Sequence, residues 1–395
     1  MADALKRQLG LGLLTAYGVG IMVGAGIYVL VGVAAGQAGV WAPMSFLLAA
    51  IVVVPTALSF SELSARIPEA AGDSSYVEIG LHKHWLAMVV GAINVVAGTV
   101  ASAAVLRGGV GYLISVAPVS FEVAVIGLGV LLTLIAVVGV LESLSFAALL
   151  TVVEVTGLLI VIWAGFSAAP VADWQSPPAP QWSGIAAASI FALFAFIGFD
   201  DLVNMAEEAR NPARNLPRSI LLSLAITTVL YMLVTLAAVR AVPIDQLSQS
   251  SRPLALVWEV ATGTSATFLA IIAVAAALNG VLAQIVMASR VLFGLGKRST
   301  MLAVFHHTHP RFGTPVLGTV VVGVVVIISA LTLPVAALAE ATTLALLVVF
   351  AIVNASLIGL KRRKAASPFD VPVIVPWFGV FACLAAFAAA IGDRI

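Results

Sequence analysis

Apolar stretches of about 18 to 28 residues recur from one end of the chain to the other, and each is long enough to cross a bilayer as a helix. In hydrocarbon every backbone N–H and C=O must be satisfied within the segment, which makes helices the default and excludes open sheets. The short alternating strands of a β-barrel are not seen. Composition agrees: 62% of the 395 residues are hydrophobic and 9% are charged, against roughly a quarter charged in a soluble domain. The run after Lys6 and Arg7 is too long and glycine-rich for a signal peptide and reads as a retained transmembrane helix.

Eleven membrane segments are expected, at about 11–35, 41–66, 84–114, 121–140, 146–168, 183–208, 218–240, 265–296, 315–333, 338–360 and 373–392. Val242 to Thr264 is less apolar and reads as a short helix over the outer face. Asp173 to Trp182, with Pro177, Pro178 and Pro180, reads as an external loop. With an internal N-terminus, 15 of the 19 lysines and arginines fall on one side, leaving Arg107, Arg240, Arg252 and Arg394 opposite. That asymmetry predicts a cytoplasmic N-terminus in the inner (cytoplasmic) membrane.

Segments 1 and 6 differ from the rest. The first carries Gly18, Gly20, Gly24, Gly26 and Gly32, with Gly24-Ala25-Gly26 at mid-depth. The sixth reads Phe194-Ala195-Phe196-Ile197-Gly198-Phe199-Asp200-Asp201. Five crossings separate them, so they run in opposite directions. Interrupted helices at matching places in two oppositely oriented halves point to an inverted-repeat transporter site. The grouping is segments 1–5 (about 11–168) against 6–10 (about 183–360), in one transmembrane domain, with 373–392 accessory.

A helix broken at Gly24-Ala25-Gly26 exposes backbone N–H groups suited to a carboxylate; the other reading of these glycines is GxxxG helix packing. Unwound carbonyls near Phe194 and Ile197 suit an ammonium group, with Phe194, Phe196 and Phe199 lining or closing the pocket. Asp200 and Asp201 are intramembrane carboxylates, which are costly and point to function. The coupling or gating reading of this pair stands beside a capping role for Asp201. Glu154 in segment 5 is either a proton-exchanging carboxyl or one paired with a neighbour or facing the cytoplasmic vestibule. The run from Ala206 to Arg218 reads as a solvated salt-bridge network or an inner gate. His306, His307 and His309 lack cysteine or acidic companions, and no metal or cofactor is expected. No phosphate-binding loop, GxSxG or HExxH motif is present, so neither ATP-driven transport nor an intramembrane enzyme is expected. The formal charge of +1 and the lack of a basic tract argue against nucleic acid. Cys383 stands alone, so no internal disulfide can form.

Together these motifs resemble the amino acid–polyamine–organocation superfamily, particularly its bacterial, cationic-amino-acid-transporter-like members. The matching residues are Gly24 to Tyr28, Pro43, Glu62-Leu63, Pro68-Glu69-Ala70, Phe194 to Asp200, Ala206-Glu207-Glu208, Asn211-Pro212, Pro217, Asn279-Gly280, Ser289-Arg290, Gly294 and Gly313-Thr314-Pro315. The resemblance implies a five-plus-five inverted repeat, alternating access and secondary transport of amino acids. It also implies that the substrate carboxylate meets amides of Ala25, Gly26 and Ile27, and the ammonium meets carbonyls of Met22, Phe194 and Ile197. Many members carry a lysine where Glu154 aligns. Segment 8 has no serine or threonine between Leu269 and Ala288, where sodium-coupled relatives use hydroxyls, so protons or exchange are expected to drive transport. A neutral amino acid is preferred as substrate. The alternatives are a cationic amino acid, a polyamine, or a sensor that binds amino acids without moving them.

Overall fold

The computed structural model describes residues 9–67, 72–139, 144–206, 208–363 and 367–392. Pro68 to Ala70, Glu207, Lys6, Arg7, Lys364 and Arg394 lie outside them, as does the Ala25 side chain. Among the described residues the chain is helical with no strand. Segment 1 is two helices, α1 (Leu11–Val23) and α2 (Ala25–Ala38), followed by α3 (Ala42–Arg66). A further helix, α4 (Gly72–Leu81), lies between segments 2 and 3. Then come α5 (His84–Leu113), α6 (Phe121–Val138) and α7 (Leu144–Ser167). The connection between segments 5 and 6 holds α8 (Ala172–Gln175). Segment 6 is α9 (Trp182–Ala195), a five-residue turn and a 3-10 helix, Asp201–Met205. The remainder is α10 (Pro212–Ala241), α11 (Ile244–Gln249), α12 (Pro253–Thr262), α13 (Thr267–Arg298), α14 (Val316–Thr332), α15 (Val335–Arg362) and α16 (Ile374–Gly392).

Local chemistry sets many of these ends. Ser120 caps α6 by accepting a hydrogen bond from Val123 N–H, and Gly139 ends that helix in the left-handed region at φ 80°. Pro43, Pro212 and Pro253 occupy first-turn positions, where the missing N–H costs no helical bond. Among the described residues, eight helical stretches are long and apolar enough to cross a membrane. Shorter apolar helices, among them α1, α9 and α14, account for other expected segments. Segments 1 and 6 are short because they are broken. The stretch from Val242 to Thr264, expected as one short helix, holds two, α11 and α12.

The packing pairs elements five segments apart: α3 along α10, α5 along α13, and α6 along α14. Tight helix contacts use small residues, as where Gly109 of α5 faces Ala277 of α13. At one end of α3, Glu62 is fully buried and receives Arg66 at 2.5 Å and Lys361 of α15 at 2.8 Å. Its second oxygen also accepts Val371 N–H at 2.9 Å. Midway along, Asn354 of α15 donates to Thr56 Oγ1 at 2.9 Å and accepts from Ser59 at 2.6 Å, and Cys383 of α16 lies 3.6 Å from Thr56. The run after the 3-10 helix is held mainly by backbone. Leu9 N–H donates to Glu208 and Arg210 N–H donates to Leu9, and no ion pair involves Glu208, Arg210, Arg214 or Arg218 among the described residues.

Candidate functional site

Both breaks form, and they pack against each other. Segment 1 breaks at Gly24, whose φ of −32° and ψ of −173° turn the chain out of helix for one residue. Segment 6 breaks after Ala195. Gly198 there has φ 117°, a conformation side chains rarely adopt, and a Cβ would lie 2.3 Å from Ile21 Cγ2. From the other direction, a Cβ on Gly26 would lie 3.5 Å from the Phe194 ring and 3.8 Å from Ala195 Cα.

The meeting point brings together helix ends of opposite polarity. The first turn of α2 presents amides at Ala25, Gly26 and Ile27, and no side chain caps it. The last turns of α1 and α9 present carbonyls. Positive and negative dipole ends therefore lie side by side, which suits the two charges of a zwitterion.

Tyr231 of α10, which sequence reasoning missed, organises the carbonyl side. Its fully buried hydroxyl donates to the Met22 carbonyl and, at 2.9 Å, to that of Ala195. A phenol has one proton, so two carbonyls share a single donor; an ammonium group brings three. Tyr231→Phe is expected to strand both carbonyls and lower stability by about 1–3 kcal/mol. Detergent-unfolding midpoints check this, and an unchanged midpoint contradicts the bridge.

The other candidates divide between two flanks. Phe194 faces Gly26 at the break. Phe196 packs behind it on Tyr231, with ring centroids 5.2 Å apart. Phe199 joins Phe60 and Phe350 in an aromatic cluster and, with Ile197, lines a small apolar cavity shared with Val53, Leu193, Thr343 and Leu346. Phe194 O accepts the Ile197 N–H at 3.2 Å. Glu154 of α7 is 3% exposed, its Oε2 has no partner, and its carbonyl accepts the Tyr28 hydroxyl at 3.1 Å. Its charge acts on both Tyr28 and Tyr231, so it adjoins the break. On the opposite flank, Asp200 Oδ1 accepts Gly198 N–H at 3.0 Å, holding the turn behind it. Asp201 is the first residue of the 3-10 helix, and Gln284 of α13 lies near enough to act on its carboxyl.

Residues 9–393 match the model of the amino acid permease family. The chain belongs to that family. Among its relatives the permease is 26% identical to the branched-chain amino acid permease BcaP of Bacillus subtilis, over 96% of this chain and 87% of that one. It is 30% identical to an uncharacterized transporter of Mycobacterium tuberculosis, over 97% of this chain and 86% of the relative. Cationic amino acid transporter 4 of Homo sapiens is 29% identical over 93% of this chain, which spans 62% of that protein's length. The permease is thus a multi-pass membrane protein whose family moves amino acids.

Proposed function

We propose that the permease carries neutral amino acids across the cytoplasmic membrane by alternating access, coupled to protons or to exchange. The reading rests on one observation: two oppositely polarised helix breaks packed against each other, with Gly26 on Phe194 and Gly198 on Ile21. In this scheme the substrate carboxylate meets amides of Ala25, Gly26 and Ile27. Its ammonium displaces the Tyr231 proton from the carbonyls of Met22 and Ala195, with Phe194 and Ile197 flanking. The apolar cavity beside Ile197 and Phe199 favours an uncharged side chain. Two repeats, about 11–168 and 183–360, enclose the site with 373–392 accessory. The pairing of α3 with α10, α5 with α13 and α6 with α14 supports that division. The N-terminus is cytoplasmic, following the lysine and arginine bias.

The second reading is a cationic amino acid, supported by Asp200 and Asp201, which have no basic partner among the described residues. Counterflow of labelled leucine and of labelled arginine in proteoliposomes separates the two. Binding with no accumulation of either amino acid favours a sensor instead.

Glu154 is assigned to coupling, because its Oε2 is buried and unpartnered beside the break. Glu154→Gln is expected to abolish pH-driven uphill uptake while retaining exchange. Uphill uptake at the wild-type rate rules that assignment out.

A further inference from the structure

Three acidic side chains surround the junction between α4 and the end of segment 6. Asp73, in the first turn of α4, is 6% exposed, and its Oδ2 accepts Asn94 Nδ2 of α5 at 2.8 Å. Asp200 is held by Gly198 N–H, and Gln284 of α13 acts on Asp201. The elements that carry them are in contact. A Cβ on Gly72 would lie 3.6 Å from Asn204 Oδ1 in the 3-10 helix, and one on Gly98, a turn beyond Asn94, would lie 3.1 Å from Gln284 Oε1. The Asp200 charge acts on Asp73, and both act on Asp201.

Nothing cationic answers this charge among the described residues. On α4 itself, Glu78 takes His84 and Arg298, and Arg363 from α15 caps the Ile79 and Gly80 carbonyls, all at the far end of the helix. From α5 the group facing Asp73 is the neutral Asn94, and from the end of segment 6 the charges that interact with it are those of Asp200, in the turn, and Asp201, at the start of the 3-10 helix. No three His, Cys, Asp or Glu side chains are close enough to hold a metal ion among the described residues. Asp73 is instead held by Asn94 of α5, and Asp200 by the Gly198 N–H of its own turn.

Two further groups nearby are unspent. Tyr76, one turn from Asp73 on the same face of α4, is fully buried with no partner for its hydroxyl, and the Asp73 charge acts on it. Asn94 Oδ1 also lacks a partner. Between them they serve both states of Asp73: the ionised form gains a donor in Tyr76, and the protonated form gains an acceptor when the Asn94 amide turns over.

We propose that Asp73 shares an ionisable proton with Asp200 and Asp201, so that this buried junction is a proton-holding site of the transport cycle. The step is the movement of a proton from water onto a carboxylate oxygen and back; no other bond changes. Burial, reinforced by the Asp200 charge and opposed by the Asn94 hydrogen bond, raises the Asp73 carboxyl to about 7, so it exchanges its proton near neutral pH. The proposal rests on the transport reading and adds to it a site on a helix outside the broken segments.

The test compares wild type, Asp73→Asn and Asp73→Glu in proteoliposomes, following leucine uptake against pH. The inflection expected near neutral pH should disappear in Asp73→Asn, or move by more than about one pH unit, and persist in Asp73→Glu. An inflection unmoved in Asp73→Asn overturns the proposal. So does a loss confined to arginine uptake with the leucine profile intact, which makes the junction a side-chain subsite. Should Asp73→Asn not fold, Tyr76→Phe serves. Removing a donor to the ionised form must shift the inflection to higher pH, and no shift overturns the proposal. If the wild type moves no amino acid, the transport reading fails by itself. An infrared titration of the carboxyl band, wild type minus Asp73→Asn in detergent, still reads the shared proton without any substrate, and a difference spectrum with no near-neutral component overturns it.

Discussion

Gly26→Leu is expected to weaken amino acid binding by at least about 100-fold, or about 2.7 kcal/mol, while the protein remains folded. Position 26 faces the Phe194 ring at a distance that admits a single methyl in ordinary contact, since a Cβ lies 3.5 Å from the nearest ring carbon. Gly26→Ala therefore fits without moving its neighbours and should weaken binding only modestly. A leucine fills the space between the two breaks and keeps a ligand from the first-turn amides of α2. Titration of purified protein with leucine, followed by thermal shift, measures the effect. Wild-type affinity in Gly26→Leu would exclude this junction as the substrate site. The leucine-to-alanine contrast separates blocked approach from general damage to the helix.

Glu62→Ala should cost about 3 kcal/mol of stability, the largest single loss anticipated outside the site. The carboxylate is fully buried, and the Arg66 and Lys361 side chains on it are only 7% and 10% exposed. Its removal leaves two nearly buried cations. Both keep Asp370, at 3.2 Å and 2.8 Å, whose side chain is 64% exposed. Asp370→Asn should therefore change stability by less than about 1 kcal/mol, as for other exposed pairs. Equal effects of the two substitutions on the unfolding midpoint would show that burial of Glu62 does not set the energy.

The parts of this architecture that were legible in sequence depend on short stretches of chain. Apolar length marks most of the helices, and the glycines of segments 1 and 6 mark where they break, because the need for close approach or positive φ is written into one residue. Glu62 and Arg66 stand four apart, a spacing that carries their pairing on a helix although it was missed. The Lys361 contribution, 299 positions further along, does not follow from any local pattern. Tyr231 was missed for the same reason. It is one tyrosine in an apolar run, and its two acceptors lie 209 and 36 positions away. Asp73 lay in a stretch assigned to neither neighbouring segment, so α4 went unrecognised and with it the junction that joins Asp73 to the segment 6 carboxyls. The charged run after segment 6 suggested ion pairing, whereas the described contacts there are mainly backbone to backbone, with the Asn215 side chain on the Arg210 carbonyl, which composition cannot foretell.

The ties among α3, α15 and α16 restrict how such a carrier can move. Glu62 with Lys361, and Thr56 and Ser59 with Asn354, fasten a helix of the first half to a helix of the second at two depths, and Cys383 brings the last helix against the same place. Sliding along that seam would strand buried charges and amides together. The three helices are therefore constrained to swing as one plank, and the give required to open a path must come from seams lined by alanine and glycine, such as Gly109 against Ala277, where no polar partner has to be released.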